Sequence, residues 1–326
     1  MTQRSVVISL EAILLTIIAD EPYVLTVSST DFLRELHVTL DHDPWHGRCG
    51  FPAGLLDPTQ LTALERLVHA RVVRQTGVHP GYLEQLYTFA DPERMPGDDH
   101  GLRLISIAYL GLCPYQPFRS GKGAAWHRVY GYLPWEDWRC GEPQVVRENM
   151  RPHLTAWLSR QETRPRFSEL KERMEMAFFH EGEPWVPERA LERYELLYQS
   201  GCVAESEPQV QVQGMGNPMI MDHRRMLATA LTRIRGKIKY RPVVFELLPN
   251  QFTLFDLQHV VEALSGMKLH KQNFRRLMAE AGLVEETEET TTATGGRPAR
   301  LYRFRRDVLR EPVSPGTFHA QRFHFR

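Results

Sequence analysis

The sequence predicts a mixed α/β (α+β) protein built from three successive blocks, and three observations lead to that prediction. Runs of β-branched residues separated by turn residues open the chain and predict strands. Apolar residues at helical spacing then dominate the middle of the chain, and two helices joined by a short turn follow near its end. At roughly 100 to 200 residues per domain, a chain of 326 residues suits two or three domains. A content of 42% hydrophobic and 25% charged residues excludes disorder throughout.

The first block, residues 1–138, alternates strands with one helix, which is typical of an α/β domain. The helix is predicted over 59–76, where apolar residues beginning with Leu61 recur on one face, and Gly77 is expected to end it as a C-cap. A polar loop over 91–100 separates the last two strands. The four predicted strands span 5–18, 23–27, 82–89 and 102–112.

The second block, residues 139–222, is predicted to be a helical insertion or connector, because its apolar residues have helical spacing. These residues are Leu170, Met174, Phe178, Leu191, Tyr194, Leu197 and Tyr198. A long helix from about Asp222 to Lys239 then leads into the third block, residues 223–310. The remaining residues, 311–326, lack periodicity and are predicted to be a loose tail.

The third block predicts a helix-turn-helix motif. Thr253 and Asp256 have the spacing of a capping box, which opens a helix that ends near Leu264. A short turn containing Gly266 leads into a second helix over 270–281. Side chains at the start of such a recognition helix meet base edges in the major groove of DNA. In this sequence they are Lys271, Gln272, Asn273, Arg275 and Arg276.

A β-hairpin is predicted after this motif, with strands over 283–286 and 299–304 and a loop over 287–297. A hairpin in this position is a wing, and its arginines are expected to contact phosphates or the minor groove. These are Arg297, Arg300, Arg303 and Arg305. Four nearby glutamates oppose this interpretation, because phosphate repels carboxylates that do not point away: Glu285, Glu286, Glu288 and Glu289. The alternative is a small helical domain with a solvated basic face.

The charge of the chain is unevenly distributed, although 40 Lys plus Arg and 40 Asp plus Glu give a net charge of zero. Residues 223–326 hold 19 basic and 10 acidic residues, a balance of +9. Residues 1–222 therefore hold 21 basic and 30 acidic residues, a balance of −9. A basic C-terminal part is the electrostatic footprint of a module that binds a polyanion.

The cysteines lie far apart and form no motif of metal ligands, so free buried thiols in a reducing cytoplasm are expected. They are Cys49, Cys113, Cys140 and Cys202. The longest apolar run, 6–19, is interrupted by Glu11 and is too short to span a bilayer. We therefore expect a cytoplasmic protein with no membrane partner.

One stretch of the first block, FPAGLLDPTQLTALERLVHARVVRQTGV from Phe51, resembles the box of Nudix hydrolases, and the strand pair after it is similar to ADP-ribose-type Nudix domains. That box carries glutamates because hard divalent cations take oxygen ligands. Aligned backward from Gly77, the glutamate positions fall within 70–75, where the sequence is ARVVRQ. The resemblance therefore implies a Nudix-like α/β/α sandwich that is not an enzyme and requires no metal or other cofactor.

The third block is similar to the winged-helix half of NrtR and NadQ type bacterial regulators of NAD metabolism, in the segments KQNFRRLMAEAGLVEET and GRPARLYRF. The resemblance implies a homodimeric repressor of NAD biosynthesis or salvage genes that binds a palindromic DNA operator. Its effector would be ADP-ribose, NAD or an ATP-like nucleotide, bound by the Nudix-like domain. The arginines among the candidate ligand-binding residues could pair with a diphosphate. These candidates are Arg71, Arg74, Glu84 and Arg103.

Two other functions stay open at this stage. A divergent nucleoside-diphosphate hydrolase could recruit its metal ligands from Asp57, Glu84, Asp98 or Asp99. A scaffold could instead use the winged helix to bind protein. For a regulator, we expect a nucleotide to change the separation of two recognition helices through the helix that begins near Asp222, so that two half-sites one DNA turn apart cannot both be engaged.

Overall fold

The computed structural model describes residues 5–39, 42–91, 94, 102–117, 123–161, 165–178, 185–206, 212–239, 241–292, 298–305 and 307. The strands of the first block are β1 (Ser5–Ile18), β2 (Glu21–Ser28), β3 (Cys49–Gly50), β4 (Ala53–Leu55), β5 (Tyr82–Phe89), β6 (Leu102–Leu112) and β7 (Ala124–Arg128). They form one mixed sheet in the order β3-β2-β1-β6-β5, while β4 also pairs with β1 and β7 with β2. The four strands predicted from the sequence are therefore confirmed.

Strand β1 is the centre of this sheet. It pairs with β2 in antiparallel and with β6 in parallel orientation, the latter from Ser5 opposite Leu102 to Leu15 opposite Leu112. Alternate side chains of a strand point to opposite faces. Leu10 and Leu14 accordingly pack in one apolar cluster with Val68 and Val72. Ser9, Glu11 and Ile13 lie on the opposite face.

The helices of the first block are α1 (Ser29–Glu35), α2 (Leu64–Thr76) and the short α3 (Val129–Tyr132). The prediction that α2 begins at residue 59 is wrong, and Leu61 is 98% exposed. The Asp57 carboxylate accepts hydrogen bonds from the Thr59 amide (2.9 Å) and hydroxyl (2.6 Å), a local turn that competes with the helix. At the other end Gly77, at φ +75°, is the left-handed C-cap that was predicted.

The second block is helical, as predicted. Its helices are α4 (Arg151–Ser159), which follows a π-helical turn over Val146–Met150, α5 (Phe167–Ala177) and α6 (Ala190–Gln199). Five of the seven apolar positions that predicted these helices are buried: Leu170, Met174, Phe178, Tyr194 and Leu197. Tyr198 is exposed instead.

The third block contains α7 (His223–Ile238), a 3-10 helix over Val243–Leu247, α8 (Leu254–Ser265), α9 (Lys271–Ala281), β8 (Val284–Thr291) and β9 (Ala299–Phe304). The prediction that the first wing strand ends at residue 286 is wrong. Strand β8 continues to Thr291 past an irregularity in the pairing between Glu286 and Thr290. Arg297 and the predicted tail over 311–326 lie outside the described residues.

A single apolar cluster joins the three blocks, from Ile13 in the sheet through Leu197 in α6 to Met278 in α9. Helix α7 runs through this cluster with Met226, Ala230, Ile234 and Ile238 buried on the face that the periodicity predicted. The core thus crosses the predicted domain bounds at 138 and 222, which remain predictions. No helix within the described ranges is long and apolar enough to cross a membrane.

Candidate nucleic-acid interface

The outward face of α9 carries the polar residues predicted to meet base edges. Phe274, Met278 and Ala281 bury the opposite face. Lys271, Gln272, Asn273, Arg275 and Arg276 are all exposed. None of these five side chains makes a hydrogen bond or ion pair with another residue in the part of the chain that the structure describes. The predicted exposure of these side chains is confirmed, whereas their contact with DNA stays a prediction.

Helix α8 and the turn after it position α9. The predicted capping box is present, since the Thr253 hydroxyl accepts from the Asp256 amide and the Asp256 carboxylate accepts from the Thr253 amide (2.8 Å). The Glu262 carboxylate accepts from the Leu269 amide (3.0 Å) and the Lys268 ammonium (2.7 Å), which fastens the turn to α8. Burial alone would raise the pKa of Glu262, but these hydrogen bonds together with one from Gln258 lower it.

The wing arginines are already paired with the acidic strand beside them. Arg300 forms an ion pair with Glu286, and Arg303 forms one with Glu285. Arg305 bonds to the Gly282 carbonyl (3.1 Å) and to Asp307. The wing is therefore unlike α9, whose cations have no described acidic partner.

A buried ionic cluster connects the first block to α6 and α7. The Glu136 carboxylate, in a 3-10 turn after α3, receives two hydrogen bonds from Arg193 (2.6 and 2.8 Å) and one from Arg235. All three side chains have almost no exposure, and the Trp185 ring lies 3.7 Å from the Arg193 guanidinium. Burial alone would raise the pKa of Glu136, but the two arginines lower it.

The same cluster holds the end of α8. The Arg235 guanidinium donates to the Leu264 carbonyl (2.9 Å), and the Tyr130 hydroxyl donates to the Ala263 carbonyl (2.6 Å). The Trp138 amide donates to the Gly266 carbonyl (2.7 Å). These carbonyls at the C-terminus of a helix would otherwise lack partners. The turn that sets the direction of α9 is thereby attached to the first block.

A second buried cluster attaches the start of α7 to the sheet. His223 Nε2 lies 3.2 Å from a Glu11 oxygen, and both side chains are fully buried. The Phe51 amide donates to His223 Nδ1 (3.0 Å), which leaves the ring proton on Nε2 toward Glu11. Arg94 bonds to both oxygens of Asp222, the residue before α7. Burial alone would raise the pKa of Glu11, but His223 and Arg94 lower it to about 2.

These ion pairs change the interpretation of the charge distribution. Five cations on or next to α7 pair with acids that precede residue 222, namely Arg224 with Glu205, Arg225 with Asp91 and Glu195, Arg235 with Glu136, Lys237 with Glu84, and Lys239 with Glu188. Many of the basic residues that make the third block positive are thus paired with acids of the preceding blocks. Among the described cations of the third block, most of those that are exposed and have no ion pair lie on α9.

The four candidate ligand-binding residues do not form one cluster. Arg71 donates to the carbonyls of Gly54 and Leu55, the latter at 2.7 Å, and burial followed by the nearness of Arg74 lowers its pKa. Arg74 forms an ion pair with Glu35 on α1. The other two candidates lie apart from this pair: Arg103 donates to the Ala90 carbonyl (3.1 Å), and Glu84 pairs with Lys237.

Two of the acids proposed as alternative metal ligands, Asp57 and Glu84, are described, and each is engaged with another partner. Asp57 is engaged with Thr59, and Asp98 and Asp99 lie outside the described residues. Within the described ranges there is no group of three or more His, Cys, Asp or Glu side chains that could hold a metal ion. The cysteines are free as predicted, but Cys140 is exposed and Cys49 is half-buried, while Cys113 and Cys202 are buried.

The residues that connect the blocks were not identified from the sequence. Glu136 and Arg235 are 99 positions apart, and nothing in the local pattern of either one indicates the other. One signal was available, because Glu11 interrupts the longest apolar run of the chain. A carboxylate inside a buried strand needs a buried partner, and His223 is that partner.

Comparisons with known proteins agree with this architecture. Residues 244–304 match the family model of the NrtR DNA-binding winged helix domain. A segment of 92 residues is 41% identical to the "ADPR responsive transcriptional repressor NtrR" of Acinetobacter baylyi. It covers 28% of this chain and 36% of that protein, so the match spans about a third of the relative.

Solved structures extend the likeness to most of the chain. NrtR of Shewanella oneidensis, crystallised with a 27mer DNA, has a TM-score of 0.53 and 22% identity over 91% of this chain and 93% of its own. A MutT/nudix family protein of Enterococcus faecalis has a TM-score of 0.54 and 16% identity over 93% of this chain and 89% of its own. At these identities the likeness shows the fold. Residues 244–304 of the third block thus match the NrtR winged helix domain, and the chain as a whole shares the Nudix-like and winged-helix fold of these solved structures.

Proposed function

We propose that this protein is a ligand-responsive transcriptional regulator, acting as a repressor, that binds operator DNA through α9. The observation that carries the proposal is the group of exposed and unpaired polar side chains at the start of α9, in a module of NrtR DNA-binding type. Arginine can pair with guanine through two hydrogen bonds, and asparagine or glutamine can pair likewise with adenine. This helix carries all three residue types.

The proposed operator is palindromic and the proposed assembly is a homodimer. Helix-turn-helix proteins bind as dimers to two half-sites about one DNA turn apart, because the protein's two-fold axis matches that of the operator. One copy of α9 would then enter the major groove at each half-site. The proposed targets are genes of NAD biosynthesis or salvage.

The proposed effector is ADP-ribose or a related adenine nucleotide such as NAD or ATP. The support is the Nudix-like fold of the first block and the likeness to the Acinetobacter repressor, which is named as ADPR responsive. Arg71 and Arg74, one helical turn apart on α2, are the cations we assign to its diphosphate; Arg103 and Glu84, which lie apart from them, would contact other parts of the nucleotide. We infer that the nucleotide is not hydrolysed, because Glu65 is the only carboxylate on α2.

The proposed coupling between effector and DNA runs through the two buried clusters. The Glu11–His223 contact attaches the central strand to the start of α7, and the Glu136–Arg235 pair attaches α7 to the end of α8. A nucleotide that favours one arrangement of the sheet would thereby change the position of α9. The response requires a difference in nucleotide affinity between the two arrangements.

The test is DNA binding by the full chain, measured by electrophoretic shift with DNA from upstream of its own gene. The variant R275A/R276A should lose at least about tenfold in affinity, since a good Arg–guanine pair contributes about 1–3 kcal/mol. The matched control R66A/R160A removes two exposed arginines on α2 and at the end of α4, outside the winged helix, and should bind like the unsubstituted protein. Failure of the unsubstituted protein to bind, or equal loss in both variants, would contradict the proposal.

The effector is tested in the same assay. Adding ADP-ribose should change the affinity for DNA, and R71A/R74A should abolish that change. Incubation of the protein with ADP-ribose and magnesium should release no AMP. Release of AMP would show instead that the first block is a hydrolase.

A further inference from the structure

The wing strands differ in charge from the recognition helix beside them. Four glutamates lie on β8 and two arginines on β9, which gives the two wing strands a balance of −2, with Arg305 following the second strand: Glu285, Glu286, Glu288, Glu289, Arg300 and Arg303. Helix α9 carries three cations and one acid, a balance of +2: Lys271, Arg275, Arg276 and Glu280. Acidic strands are unexpected beside a helix that approaches phosphates.

The two wing arginines are held by specific partners. Arg303 lies directly opposite Glu285 in the register of the hairpin and forms an ion pair with it. Arg300 forms an ion pair with Glu286, whose other oxygen accepts a hydrogen bond from the Tyr302 hydroxyl (3.1 Å). Since neighbouring side chains of a strand point to opposite faces, there is one such pair on each face of the wing.

The other two glutamates of β8 have a different role. Glu288 and Glu289 lie in the irregular part of the pairing, between Glu286 and Thr290. Glu289 accepts a hydrogen bond from the Gln251 side-chain amide (3.0 Å). Neither glutamate forms an ion pair with Arg300 or Arg303, so the wing contains two acids that hold arginines and two that do not.

We propose that Glu285 and Glu286 restrain DNA binding by holding Arg303 and Arg300 away from phosphate, so that α9 dominates the choice of site. The inference rests on the proposed function and adds to it a reason why the protein would discriminate its operator from other DNA. The arginines are 63% and 59% exposed, and exposed ion pairs are worth only about 0–1 kcal/mol, so phosphate can displace each carboxylate. The displaced carboxylate then faces the phosphate backbone, which makes contact by the wing unfavourable unless base contacts by α9 offset it.

The test measures affinity for a random-sequence DNA duplex, since that affinity depends on phosphate contacts alone. E285Q/E286Q should tighten this binding by about tenfold and steepen its salt dependence, because two arginines are released to phosphate. E288Q/E289Q changes the net charge equally without releasing an arginine and should have a much smaller effect. Equal tightening in both variants, or none in either, would overturn the inference.

A second comparison replaces the arginines instead of the glutamates and tests the same restraint on DNA binding. R300A/R303A should reduce affinity for the random duplex far less than R275A/R276A does, because a wing arginine that reaches phosphate leaves a carboxylate beside it, whereas the arginines of α9 have no such partner. Equal losses would overturn the inference while leaving the proposed function intact. Absence of DNA binding by the unsubstituted protein would instead overturn the proposed function, and the inference with it.

Discussion

Helices α7 and α9 are both rich in basic residues, yet the structure uses their charges in opposite ways. Arg224 and Arg235 of α7 are fully buried and paired with acids from earlier blocks. Arg275 and Arg276 of α9 are exposed and have no ion-pair partner among the described residues. A charge count along the sequence treats the two helices alike. Their surroundings distinguish a helix that connects the blocks from a helix whose cations are exposed.

The largest effect should come from the buried cluster on α7. E136Q leaves two arginines buried without a counter charge, and breaking a buried ion pair from one side costs about 3–5 kcal/mol. The control E169Q removes an acid that is 71% exposed and 4.0 Å from Arg166. It should change the free energy of unfolding by less than about 1 kcal/mol. Urea denaturation of both variants measures the difference. If the two variants were equally stable, the buried ion pairs of Glu136 would not stabilise the fold as described.

The glycines that end α8 and α9 offer a second comparison of an attached helix with a free one. Gly266 and Gly282 have φ of +70° and +61°, so alanine should cost about 1–3 kcal/mol at each site. A Cβ at residue 266 would also collide with the Glu136 carbonyl, whereas at residue 282 the nearest atom is the Arg305 guanidinium at 3.8 Å.

G266A should therefore be less stable than G282A by about a further 1–3 kcal/mol. It should also weaken DNA binding, because the turn before α9 must shift. Thermal denaturation together with the electrophoretic shift would check both statements. If G282A were the less stable variant, the end of α8 would not be packed against Glu136 and Trp138 as the structure shows.

A smaller effect, confined to acid, should come from Glu11. Its pKa falls from the usual 4.5 to about 2 in the folded protein. A carboxylate with a lowered pKa stabilises the fold above pH 4.5, and that contribution is lost as the pH falls from 4.5 toward 2. E11Q lacks this titration, so its deficit in unfolding free energy relative to the unsubstituted protein should shrink over that interval. A constant deficit from pH 5 to pH 2 would show that Glu11 is not held ionised by His223 and Arg94.

Helices and strands could be predicted from the sequence where residues close together in the chain determine them. Periodicity and capping residues placed α9 within one residue of its observed start, and Gly77 marked the end of α2. The start of α2 was missed because a turn around Asp57 competes with the helix for the same residues. Local patterns of this kind are visible in a single sequence.

The candidate site was predictable only in part, for the same physical reason. The exposed face of α9 follows from its apolar periodicity, since residues between the buried positions point outward. The partners of Arg71 and Arg235 do not follow, because backbone carbonyls and a carboxylate from distant segments accept their hydrogen bonds. A basic residue in a sequence therefore shows charge, and only the fold shows whether that charge is available to a ligand.

The most direct test compares one arginine from each helix by the salt dependence of operator binding. R276A removes a free cation from α9, and R225A removes a cation of α7 that is paired with Asp91 and Glu195. If α9 lies in the groove between the phosphates, R276A removes one neutralising cation and should lower the slope of log affinity against log salt by up to about 0.9, while R225A leaves it unchanged. A lower slope in R225A, or an unchanged slope in R276A, would contradict the assignment of α9 as the DNA-binding helix.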